Sequence, residues 1–115
     1  MDNLFNAQVH FNGGNPHLFK VQVDIMLKDL NDQLNEINQG LDPGDTRRVE
    51  YVWYKRPSLD EGRITFGRPE LMNDDDVRSM FSIFCQHNMF PWIEMDATLP
   101  PEDILKSLIL PQDYV

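Results

Sequence analysis

The chain has 115 residues, 41% of them hydrophobic, which fits one domain with a core of its own and leaves little for a second. A formal charge of −9 argues against a binder of phosphate backbones, which needs surplus Lys and Arg. One cysteine, Cys85, excludes an intramolecular disulfide, and no apolar run approaches the length of a membrane span.

From the N-terminus, Phe5, Ala7, Val9 and Phe11 alternate with Asn6, Gln8 and His10, the period of a half-buried strand. Asn12-Gly13-Gly14-Asn15 supplies residues that accept positive φ, and a second alternating run, Leu18 to Val23, completes an antiparallel hairpin. The period then changes. Leu27, Leu30, Leu34, Ile37 and Leu41 fall at helical spacing, with Asp24 as the expected start signal and Gly40 as the expected left-handed stop.

Val49 to Lys55 is a β-favouring run, predicting a third strand. Pro57 to Gly62 reads as a turn and Ile64 to Phe66 as a short fourth strand. A second helix is expected after a cap at Asn73 or Asp74, with Val77, Met80, Phe81 and Phe84 on one face. Phe90 to Met95 reads as the last strand. Pro100-Pro101 precede Glu102 to Leu110, where Ile104, Leu105, Leu108 and Ile109 make a short amphipathic pattern ended by Pro111. The order β-β-α-β-β-α-β, with a short C-terminal helix, predicts an α+β fold with a mixed sheet in the ubiquitin-like β-grasp arrangement. The expected division is residues 1–96 for that domain and residues 97–115 for a Pro-containing tail.

The motifs VHFNGG (Val9 to Gly14), VEYVWYK (Val49 to Lys55), SLDEG (Ser58 to Gly62), LMNDDDVRSMF (Leu71 to Phe81) and IEM (Ile93 to Met95) carry a resemblance. The chain resembles the Phox-and-Bem-like domain found at the N-terminus of plant Mutator-type transposases and proteins derived from them. The resemblance spans roughly Phe5 to Met95 and implies a ubiquitin-like fold and protein–protein association. It does not imply transposition, because 115 residues leave no room for a catalytic domain or a zinc-binding module. In the wider Phox-and-Bem group an acidic loop on one copy pairs with a basic residue of the first strand on another, making homo-oligomers. By resemblance Asp60 and Glu61 belong to that loop, flanked by Asp74, Asp75 and Asp76. The chain departs from the pattern at Arg63, where another carboxylate is usual, and at Gln8 and His10, where the first strand usually offers a lysine. An acidic surface for a separate basic protein partner is therefore the favoured reading, with Ile104, Leu105 and Leu108 adding apolar contact.

Simpler readings stand beside these. Three consecutive aspartates cannot converge on one point from a helix start, and capping explains them. Asp60-Glu61 beside Gly62 suits a turn. Cys85, among Met80, Phe81, Phe84 and Met89, reads as a buried structural thiol. His10, His17, His87 and Cys85 lack the spacing of a zinc site, and no cofactor is expected. Tyr51, Trp53, Tyr54 and Trp92, near Arg47, Arg48, Lys55 and Arg56, give the alternative function: a nucleic-acid-binding face on the third strand, opposed by the net charge. No catalytic constellation assembles, so a non-enzymatic domain is expected, in nucleus or cytoplasm.

Overall fold

Apolar residues at every second position of four segments build a sheet with one oily face. The computed structural model describes residues 3–86 and 90–101. Its strands are β1 (Leu4–Phe11), β2 (Pro16–Gln22), β3 (Tyr51–Tyr54), β4 (Arg56–Asp60), β5 (Arg63–Gly67) and β6 (Ile93–Thr98). Its helices are α1 (Leu27–Leu41) and α2 (Asp74–Gln86). Four strands form a mixed sheet in the order β2-β1-β6-β3. β1 runs antiparallel to β2 and parallel to β6, and β6 is antiparallel to β3.

Register puts the apolar side chains together. Ala7 lies opposite Ile93 and Val9 opposite Met95, while Met95 also faces Tyr54 across the other ladder. Leu30 and Leu34 of α1, with Val77, Met80, Phe81 and Phe84 of α2, complete one core with these residues. Each fully buried aliphatic side chain, such as Leu30 or Ile93, contributes about 1.5–3 kcal/mol relative to exposure. The other sheet face carries Gln8, His10, Glu94, Asp96, Tyr51 and Trp53. The protein is thus an α+β fold of two layers, helices on one side of a mixed sheet. Beyond β3, the N–H of Leu71 donates to Val52 O (2.8 Å) and that of Tyr54 to Pro69 O (3.2 Å), so residues 69–71 cover that sheet edge.

Several expectations need correction. The order is β-β-α-β-β-β-α-β, because Arg56 to Asp60 is a strand and not a turn. It pairs with β5 in a separate two-stranded sheet, Pro57 lying opposite Phe66 and Leu59 opposite Ile64. A proline without an N–H is tolerated there because both strands are edges. The turn contracts to Glu61 (φ 49°) and Gly62 (φ 77°), the left-handed pair of a tight hairpin. Asn12 (φ 50°) and Gly13 (φ 74°) do the same between β1 and β2, as expected.

Asp24 does not cap α1. Met26 stands at the N-cap without a side-chain bond, and the N–H of Leu27 donates instead to Asp74 Oδ1 at 2.8 Å, 47 residues away. Gly40 is not a left-handed stop either; it lies within α1, which ends when the Asp42 N–H donates to Asn38 O (3.0 Å). The last strand is Ile93–Thr98, where Ile93, Met95 and Ala97 alternate inward, and Phe90 precedes it. Because β6 runs through Thr98 and Leu99 is buried, the division placed after residue 96 falls inside a strand. Cys85 is exposed, not buried: it sits about 100° around α2 from Phe84, off the face that enters the core.

A polar clasp holds the loop after α1. Asn35 Oδ1 accepts from the Val49 N–H (2.7 Å), and Asn38 Nδ2 donates to Asp45 (3.2 Å). Arg47 donates through Nη2 and Nε to the Asp45 carboxylate (2.8 and 3.0 Å) and through Nη1 to Pro100 O (3.0 Å). These bonds, led by the Arg47 side chain and then its backbone N–H, hold the Asp45 carboxyl well below the usual range.

Candidate functional site

Alternation divides the β4–β5 hairpin into two faces. Pro57, Leu59, Ile64 and Phe66 share one, and Arg56, Ser58, Asp60, Arg63 and Thr65 share the other. Pro57 is buried and β4 packs against α2, which anchors the base. Farther out, Leu59 is 68% exposed and Ile64 44% exposed. Asp60 closes the last pair, opposite Arg63, and Glu61 begins the turn. Neither carboxylate joins an ion pair among the described residues. An exposed apolar pair on one face of the hairpin and carboxylates at its tip can present both contact area and charge.

Asp74, Asp75 and Asp76 are used differently. Asn73 caps α2, its Oδ1 accepting from the Asp76 N–H (2.9 Å). Asp76 returns the bond, its Oδ2 accepting from the Met72 N–H (2.8 Å), a variant of the capping box. Asp74 accepts from the start of α1, and Asp75 pairs with Arg78 one turn on. Among the described residues no hydrogen bond or ion pair joins this cluster to Asp60 or Glu61. Ile104, Leu105 and Leu108 lie outside the described residues.

The aromatic residues of the third strand separate. Tyr54 is buried against Phe84, ring centroids 6.4 Å apart, and burial raises its phenol pKa. Tyr51 and Trp53 remain together on the open sheet face, centroids 5.8 Å apart. Trp92 is not with them: it lines a cleft at the hairpin base. Of the neighbouring cations, Arg47 pairs with Asp45 (2.8 Å), Arg48 with Asp32 (3.3 Å) and Lys55 with Glu94 (3.6 Å). His10 is held by a Nδ1···O contact with Gly14 (2.8 Å), and among the described residues no group of three or more His, Cys, Asp or Glu could hold a metal ion.

Sequence reasoning missed that cleft, a space of about 270 Å³ lined by Phe66, Phe84, Phe90 and Trp92 with Lys55 and Glu94. Its walls come from β5, α2, the start of β6 and the residues before it. No local period links them. The one available signal was the density of Phe and Trp between Phe81 and Trp92, more rings than a single helix face can bury.

Among the described residues no helix is long and apolar enough to cross a membrane. No protein-family model matches the chain, and no curated protein sequence matches it.

Proposed function

We propose that the chain is a non-enzymatic protein-interaction domain that presents the tip of its β4–β5 hairpin to a basic protein partner. One observation carries this reading: the hairpin stands outside the main sheet with Leu59 and Ile64 exposed next to the tip, where Asp60 and Glu61 have no ion-pair partner among the described residues. A two-stranded hairpin is marginal by itself, so a hairpin that exposes apolar side chains gains stability when they are covered. The helix-start aspartates contribute background field rather than contacts, since Asp74 and Asp76 already hold backbone N–H groups.

The β-grasp reading belongs here as well. It is supported by the opening hairpin, the following helix and the parallel central pair of β1 and β6. The additional β4–β5 sheet is a departure from the order expected for it. The Phox-and-Bem-like relationship rests on the sequence motifs alone. Nucleic-acid binding is less favoured because Tyr54 is buried and Arg47, Arg48 and Lys55 are paired with acids.

A photo-activatable residue at Ser58, exposed on β4, tests the reading. It should cross-link to one protein with a basic surface, the yield falling at least tenfold with Asp60→Lys/Leu59→Ser and falling again as salt rises. Cross-linking that is indifferent to these changes, or directed to an acidic protein, would overturn it.

A further inference from the structure

The cleft at the hairpin base already holds a cation. Lys55 Nζ lies 4.5 Å from the centroid of the Phe66 ring and 3.6 Å from Glu94 Oε2. Phe66 meets Phe90 at 78° with centroids 6.0 Å apart, and Phe90 meets Phe84 at 73° and 6.0 Å. Successive near-perpendicular rings make adjoining walls of a box, and Trp92, 43% exposed, lines its opening. Ring faces attract cations through their quadrupole, and a carboxylate at the rim adds charge. Resting on the interaction reading above, we propose that this cleft receives the methylated ammonium group of a lysine side chain on the partner.

Lys55 is the resident that such a ligand displaces. Its side chain is half exposed, so its flexible stem can carry the ammonium into water. A primary ammonium is compact and strongly hydrated, and loses most by entering an apolar box. A trimethylammonium is bulkier and weakly hydrated. It gains the same ring and carboxylate attraction while its methyl groups fill apolar space, so the site discriminates in its favour. A choline headgroup offers the same chemistry, but a chain of net charge −9 gains no long-range attraction to net-neutral phosphocholine surfaces and is repelled by anionic lipids mixed with them. Asp60 and Glu61, on the same hairpin, attract instead the basic residues that commonly flank a lysine.

The test is an NMR titration of the full 115-residue chain, following the Trp92 indole N–H and the Glu94 amide. The ligands are Nα-acetyl-trimethyllysine amide, the unmethylated lysine analogue and the neutral analogue with a tert-butyl terminus. Saturable shifts are expected with the trimethylated ligand, with at least tenfold weaker binding of the other two. Trp92→Ala and Phe66→Leu should each lose tenfold or more at unchanged far-UV circular dichroism. Lys55→Met should tighten binding at least threefold by removing the competing cation. Equal binding of the neutral analogue would reduce the site to an apolar cleft and overturn the proposal. So would the absence of saturable shifts in both the parent chain and Lys55→Met, or binding to phosphocholine vesicles with none to the lysine ligand. Because the ligand carries no basic flanks, failure of the hairpin-tip reading would leave this titration intact, and the converse also holds.

Discussion

The two acidic clusters share a chemistry and differ in employment. At the start of α2, Asp74 and Asp76 accept backbone N–H bonds and Asp75 pairs with Arg78. At the hairpin tip, Asp60 and Glu61 extend from a left-handed turn with no ion-pair partner among the described residues. Acidity alone therefore does not mark a recognition surface. A carboxylate that satisfies an orphan N–H has a structural use, whereas one left on a projecting turn remains available.

The contrast can be broken by mutation. The largest effect is expected at the helix start: Asn73→Ala combined with Asp74→Ala removes two caps at about 1 kcal/mol each, lowering Tm by roughly 8 °C in thermal denaturation. Asp74→Ala alone should also loosen the first turn of α1, seen as faster amide exchange at Leu27, because the bond is shared between helices. If Asp74→Ala left that amide protected, the helix-to-helix cap would be wrong.

Gly62→Ala comes next. Its φ of 77° is strained for any residue with a Cβ, and the expected cost is about 1 kcal/mol. The loss should appear as faster exchange within β4 and β5, with the main sheet little changed, since the hairpin is its own sheet.

A further carboxylate sharpens the comparison through pH. The folded-state pKa of Asp45 is depressed, so its contribution is present above its unfolded value of 3.8 and lost as pH falls below it. Denaturant midpoints should therefore decline below about pH 4 more steeply in the parent chain than in Asp45→Asn. The smallest effect is expected at the hairpin tip. Asp60→Lys/Glu61→Lys should alter the free energy of unfolding, measured by denaturant titration, by less than about 0.5 kcal/mol while disrupting partner binding. A large destabilisation would show these residues to be structural after all.

Local patterns were legible where one short segment carried the whole signal. Phe5 to Phe11 and Leu18 to Val23 alternate, and Asn12-Gly13 can only mean a tight turn between them. The buried stripe of α2 was equally readable at Val77, Met80, Phe81 and Phe84. Reading failed where one residue type serves two ends. Pro57 looked like a breaker, yet an unpaired edge accommodates it. Gly40 looked like a helix stop, yet α1 continues through it to Leu41. Cys85 sat among apolar neighbours in sequence while pointing away from them in space. The acidic tip was visible at Asp60-Glu61-Gly62, but its isolation from Asp74 to Asp76 was not.

The sequence by itself determined the α+β class, the first hairpin, both helices and the buried face of α2, because each follows from a period of two or about 3.6 within a single segment; on α1 it overextended the apolar stripe to Leu41, which is exposed, and missed the buried Asn35 and Asn38. Tertiary structure alone decided which carboxylates cap and which project, since the partner of Asp74 is 47 residues away at Leu27. It also decided the cleft. Rings from Phe66, Phe84, Phe90 and Trp92 meet around Lys55 only after the hairpin, α2 and the approach to β6 have packed, and no short-range period encodes such a convergence.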